Sequence, residues 1–295
     1  MKKSYKKSTL YIILGSFLFF YATFKLFSAF SSSLFFSRPM RLNVVVYGPT
    51  TTYYSFDLKN NQNYNIRFDP EVKVDVPGAY GQYRIGSLGK LVQLEKNPDI
   101  LKKAFSTTTT SFVQYYLYQK EDDIYYDAPE KSQIKPSLKS LILSSSNASF
   151  LDRVYLTGAL MKVNDDFKKI QYRKEKNEAL GDTLFQEDSF IKDSIGLLYN
   201  DEYREEHKSV QVLYRQNYKT ARTISSLLEG NGIRVSDINR NTTINDCRIM
   251  ISDEVPSQTA KDLSKYFFCP IVKGKTDVYD ILFVLGDKEE EWKIN

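Results

Sequence analysis

Hydrophobic positions are unevenly spread along this chain. An aromatic and aliphatic stretch runs from Thr9 to Phe24, with no charge between Lys7 and Lys25, and the chain is uncharged again from Lys25 to Arg38. The window Ser8 to Phe30 supplies the about 20 predominantly apolar residues that a helix needs to cross a bilayer core. Lys25 lies near one end of it, where a long side chain can snorkel to the headgroups. The pattern predicts one transmembrane helix over 8–30, preceded by a basic tail over 1–7. Lys2, Lys3, Lys6 and Lys7 flank the start, and Lys25, Arg38 and Arg41 flank the end. The positive-inside rule then puts the tail in the cytoplasm and the body outside. The competing reading is a cleaved signal peptide, cut near Ser28-Ala29-Phe30 or Ser31-Ser32-Ser33. The apolar part is long for a signal core, and Phe35-Phe36 continues it.

Beyond Arg41 the periodicity changes. The β-branched run over residues 42–46 ends at Gly48-Pro49 and predicts a strand. Ser55 to Leu58 and Tyr64 to Phe68 flank the polar run 59–63, a hairpin signal. Val72 to Val76 alternates apolar and charged residues and stops at Pro77-Gly78. Leu88, Leu91, Val92 and Leu94 have helical spacing, and Pro98 opens a second helix carrying Ile100, Leu101 and Phe105. Phe112 to Tyr118 reads as an aromatic strand. Residues 127–149 read as a polar loop insertion around Leu141-Ile142-Leu143. A helix follows from Phe150, then weaker elements near 169–172, 182–185 and 190–198.

The C-terminal part is clearer. It reads as strand 210–213, helix 217–229 ended by Gly230 and Gly232, strands 233–236 and 247–251, a helix capped by Ser257, and strands 270–273 and 279–285. The order β-α-β-β-α-β-β predicts a small two-layer domain, so the fold class as a whole is mixed α/β.

Charge changes the picture in one respect. The chain carries +5, but its first 41 residues hold seven basic residues and no acid, so the rest carries 5 − 7 = −2. Counterion release demands a dense basic face, which excludes nucleic acid as a partner. The one histidine, His207, lies in a polar connector and is expected to be solvated, and a histidine-based triad or metal site is excluded. Cys247 and Cys269 sit in apolar runs and read as two buried thiols, although an oxidising compartment would permit a bridge. Tyr53-Tyr54, Tyr115-Tyr116 and Tyr125-Tyr126 could line protein contacts, but strand alternation turns one of each pair toward the core. Asp122-Asp123, Asp165-Asp166 and the run Glu289-Glu290-Glu291 read as solvated acids.

Two stretches carry a resemblance. Residues 209–287 resemble the LytR C-terminal domain, through Val210-Gln211-Val212-Leu213, Leu228-Glu229-Gly230-Asn231-Gly232-Ile233-Arg234-Val235, Ala260-Lys261-Asp262-Leu263 and the closing Asp280-Ile281-Leu282-Phe283-Val284-Leu285-Gly286-Asp287. The turn after the first strand reads Tyr214-Arg215-Gln216-Asn217, where the family has a glycine-containing turn. Residues 42–205 resemble a reduced LytR–CpsA–Psr domain, through the stretch from Val72 to Ile85. An acidic tail would occupy 288–295.

Active members of that family transfer a phosphoglycosyl group from a polyprenyl pyrophosphate lipid to the wall. The resemblance implies arginines for the pyrophosphate and an acid for magnesium, because diphosphate charge has to be neutralised. This chain departs from the pattern. The family's Pro-Arg-Asp-Thr segment aligns with Asp69-Pro70-Glu71-Val72, and its Arg-Ser-Asp segment falls in the uncharged Thr50-Thr51-Thr52-Tyr53-Tyr54-Ser55. Arg84, Arg67 and Glu71 remain as candidate ligand-binding residues; no metal ligands are expected. The resemblance therefore implies a membrane-anchored, extracytoplasmic envelope protein of bacterial type that is non-catalytic. Its expected partners are the membrane and a cell-wall polymer, a polyprenyl-linked lipid or an envelope protein, with no cofactor. The alternative is a phosphotransferase of the LytR–CpsA–Psr type, and only that alternative calls for magnesium.

Overall fold

The computed structural model describes residues 4–31, 33–119, 124–126, 136–162, 167–177, 181–241 and 243–294. Asp122-Asp123, Asp165-Asp166 and 127–135 of the expected insertion lie outside the described residues. The elements, in chain order, are α1 (Ser4–Ser31), α2 (Leu34–Ser37), β1 (Arg41–Tyr47), β2 (Thr52–Asp57), β3 (Tyr64–Arg67), β4 (Val72–Val76), β5 (Gly81–Arg84), α3 (Leu88–Glu95), α4 (Asp99–Thr109), β6 (Tyr115–Tyr118), α5 (Leu138–Leu143), α6 (Phe150–Lys162), β7 (Lys168–Lys169), β8 (Lys174–Asn177), β9 (Asp182–Phe185), α7 (Glu187–Ser194), α8 (Asp201–Glu206), β10 (Ser209–Tyr214), α9 (Tyr218–Gly230), β11 (Arg234–Arg240), β12 (Arg248–Ile251), α10 (Gln258–Phe267), β13 (Ile271–Lys273), β14 (Ile281–Val284) and α11 (Lys288–Glu291). The class is mixed α/β. Within the insertion, Ser137 caps α5 by accepting from the Ser140 N–H, so part of the expected loop is helical.

Residues 1–39 and 148–162 form one compact unit. Its helix α1 contains a segment, Tyr11–Ser31, that is long and apolar enough to cross a membrane and has none of its residues buried. α2 follows at once, and α6 packs on α2. The junction is specific. The Leu34 N–H donates to Asp152 Oδ1 at 2.8 Å, and the Phe35 ring meets Tyr155 edge-on at 5.3 Å. Ser149 closes the start of α6 by donating its hydroxyl to Asp152 Oδ2 at 2.7 Å while accepting from the Asp152 N–H.

Residues 40–147 and 163–295 form the second unit. Its N-terminal half has a five-stranded sheet in the order β6-β1-β2-β3-β7 and a four-stranded sheet in the order β5-β4-β9-β8. β1 runs antiparallel to β2 and parallel to β6, which its short hydrophobic run allows because both faces are covered. β2 is buried at all six positions. Tyr53 and Tyr54 are therefore both inside: the Tyr53 hydroxyl bonds Ser111, and the Tyr54 ring packs on Phe56 and Phe167. Tyr116 is buried and Tyr126 is exposed. The two-residue turn Gly78-Ala79 has positive φ at both positions, as the hairpin joining β4 to β5 demands.

The C-terminal half is one sheet, β11-β10-β14-β12-β13, covered on one face by α9 and α10. Alternation along β14 divides Ile281 and Phe283, which face the helices, from Leu282 and Val284 on the opposite side. Asn217 and Ser257 cap α9 and α10; the sequence marks Ser257 as a cap but counts Asn217 within the helix. Phe112, from the N-terminal half, inserts into this core against Tyr266 and Phe267. Gly230 lies so close to Thr110 that an added Cβ would stand 1.9 Å from the Thr110 carbonyl oxygen, which is why this position takes glycine.

Two expectations are corrected here. Cys247 and Cys269 form a disulfide rather than two thiols. The parallel ladder pairs Ile249 with Ile271, and two residues further back the same register sets Cys247 beside Cys269, their Cα atoms 5.4 Å apart. Replacing both cysteines with serine should lower stability by about 3 kcal/mol, the cost of reopening a loop of this length. Denaturation followed by fluorescence of Trp292, the chain's one tryptophan, reads it directly. The second correction is Glu289, expected solvated but only 4% exposed.

Candidate functional site

The residues singled out by sequence fall into separate places. Arg84 ends β5, opposite Lys73 of β4 in the antiparallel ladder. Both cations reach Asp182 at the start of β9, Lys73 through a short ion pair and Arg84 at 3.5 Å. The Lys73 ammonium, and then Arg84, hold the Asp182 carboxyl below its ordinary range. Arg67 ends β3 in the other sheet, at the register position facing Thr52. Glu71 is exposed in the turn before β4.

A cavity of about 230 Å³ opens beside this cluster, between β4, α4, α7 and α9. Its charged lining is Lys73, Asp75, Glu187, Asp188 and Lys219, and no arginine contributes. Glu187 and Asp188 occupy the first turn of α7, where acids complement the helix dipole. Removal from solvent, then the neighbouring Asp75 and Asp188 carboxylates, push the Glu187 carboxyl up, although the residue stands at the rim. Among the described residues acids outnumber bases here by three to two, and Lys73 is already paired. A diphosphate would meet net repulsion. Among the described residues no group of three histidine, cysteine, aspartate or glutamate side chains is placed to hold a metal ion.

The other arginine near the first sheet is structural. Arg41 is buried on β1, and its guanidinium donates to Asp57 Oδ2 at 3.2 Å, Ser55 Oγ at 2.8 Å and the Tyr199 carbonyl at 2.8 Å. On α4, burial pulls Lys102 down to about 8, and its ammonium lies 4.2 Å over the Tyr266 ring.

A second, less polar groove runs between α7 and the pair α9–β11. It comprises two adjoining hollows of about 390 and 460 Å³ that share Ile191, Ser226, Glu229 and Val235. Ile195, Leu198 and Ile233 add apolar wall, and Lys192, Arg204, Arg222 and Arg234 stand with Asp188, Glu229 and Asp237 around it. β11 is an edge strand of its sheet, so its outer backbone edge adjoins this groove. Sequence reading did not single it out, because its lining comes from three elements of unremarkable local pattern.

At the turn after β10, the Glu289 carboxylate accepts from the backbone N–H groups of Arg215 at 2.6 Å, of Gln216 at 2.9 Å, and of Asn217. Consecutive amides at the start of α9 make an anion-binding concavity, and this chain fills it with its own side chain.

No protein-family model and no curated protein matches this chain. Among solved structures it is similar to TagT (YwtF), a LytR-CPS2A-psr family protein with bound octaprenyl pyrophosphate lipid, at 10% identity and a TM-score of 0.37, over 53% of this chain and 88% of that one. A second TagT structure, bound to LI-WTA, gives 9% identity and 0.36, over 52% and 87%. A transcriptional regulator from Enterococcus faecalis gives 8% and 0.36, over 55% and 87%. At such identities and TM-scores these likenesses say nothing of this chain's chemistry.

Proposed function

We propose that this protein is a membrane-anchored, extracytoplasmic envelope protein that binds a wall polymer, a lipid-linked precursor or an envelope protein without turning it over. One observation carries the non-catalytic part. Asp182 engages Lys73 of the cavity wall and Arg84 beside it, and among the described residues the cavity presents three carboxylates, two lysines and no arginine. Pyrophosphate chemistry needs converging guanidinium groups to take up developing charge. The sequence likeness to the LytR–CpsA–Psr and LytR C-terminal domains supplies the envelope setting. The apolar α1 supplies the anchor, and the disulfide Cys247–Cys269 favours an oxidising compartment, hence a body outside the cytoplasm. The apolar groove along β11 is the binding surface this reading favours.

The test is direct. The full chain in detergent micelles is incubated with a polyprenyl-pyrophosphate glycan and magnesium. No transfer or hydrolysis above the blank is expected. Turnover that disappears in Arg84→Ala would establish the phosphotransferase alternative instead.

A further inference from the structure

The unit built from α1, α2 and α6 carries an apolar face that no described residue covers. Phe150 is 78% exposed, Val154 46% and Met161 76%. At 3.6 residues per turn these three positions fall within about 40° of one another, so they form a single stripe along α6. The opposite face is the packed one: Leu156 and Leu160 are buried, and Asp152 is consumed by the Ser149 cap and the Leu34 N–H. The stripe is therefore surplus to folding.

Position says what covers it. α1 ends at Ser31 and α2 begins at Leu34, so α2 lies where the span leaves the bilayer. The Leu34–Asp152 hydrogen bond and the Phe35–Tyr155 ring contact hold α6 to that point. Phe36 of α2 is exposed as well. Lys162 ends α6 in solvent, where a cation suits phosphate headgroups. We propose that α6 lies in the membrane–water interface at the exit of α1, with Phe150, Val154 and Met161 inserted among lipid acyl chains. The occupant of this face is the bilayer itself, continuous with the surface around α1. This inference rests on the reading of α1 as the anchor, and it makes the protein's attachment a span plus a surface-lying helix.

The test uses the full chain, unreduced so that Cys247–Cys269 stays closed, in nanodiscs holding one copy. Phe19→Cys, Phe150→Cys and Met161→Cys are each labelled with the fluorophore NBD, all at exposed positions that leave packing intact. An interfacial helix sits about 5–10 Å into the headgroup and acyl boundary, so lipids carrying a nitroxide near the headgroup should quench positions 150 and 161 about twofold more than lipids carrying it near the chain terminus. Position 19 should show the reverse order. Labels at 150 and 161 that answer to aqueous iodide and not to nitroxide lipid, while position 19 stays quenched, would overturn the inference and leave the anchor standing. Loss of lipid quenching at position 19 would remove both. Protection of 150 and 161 that arises only in discs holding two copies would assign the face to a second chain and overturn the bilayer as its occupant.

Discussion

Replacing Arg41 with leucine should cost about 3–5 kcal/mol of stability, the penalty for stranding a buried partner charge. Asp57 is buried opposite Arg41, whose guanidinium supplies it an opposite charge at 3.2 Å. The same guanidinium also serves the Ser55 hydroxyl and the Tyr199 carbonyl, so one substitution takes a donor from three acceptors on β2 and on the loop before α8, and leaves the Asp57 charge to the Lys59 and Asn60 N–H groups and the Asn60 amide. Arg41→Lys should recover only part of the loss. An ammonium is a point charge, whereas the planar fork meets all three acceptors at once. Urea denaturation followed through Trp292 measures both variants. Equal stability of wild type and Arg41→Leu would mean that the turn amides of Lys59 and Asn60, or water, satisfy Asp57 without the guanidinium.

Glu289→Ala should cost about 3 kcal/mol, because amide bonds to a charged acceptor each contribute more than neutral ones and the group is buried. Three backbone donors lose their partner, those of Arg215, Gln216 and Asn217. Glu289→Gln should fall between, since it keeps one acceptor oxygen but sets an amide NH₂ against amide N–H groups. Glu290→Ala, in the same helix turn, should be near neutral because its contact with Lys293 is exposed. A similar cost at both positions would mean that the carboxylate does not seat in the turn.

Much of the C-terminal half was legible because its signals are local. The apolar stripes of α9 and α10 and the cap at Ser257 lie within one or two helical turns. β8 was not legible. Its residues Lys174-Glu175-Lys176 are all exposed, and it is held by backbone pairing to β9 with no side-chain pattern to read. α8 is hidden the same way, one buried residue, Tyr203, among charges. The pairing of Cys247 with Cys269 depends on the register of β12 and β13, which sequence spacing does not encode. Arg84 could be singled out as a cation, but its partner Asp182 lies 98 residues away, and only the adjacency of β4 and β9 joins them. Glu289 misled because an acidic run usually signals solvent; the turn that binds it is far away in sequence.

The segment from Glu289 to Lys293 ties together parts of the chain made much earlier. Glu289 completes the turn at 215–217, Trp292 packs on Phe267, and the Lys293 carbonyl accepts the N–H groups of Gly78 and Ala79 at 2.9 Å. During synthesis these residues emerge after every element they tie together. Closure of the body therefore waits until residues 289–293 have been made, and until then the amides of the 215–217 turn lack their carboxylate and Phe267 lacks its contact with Trp292.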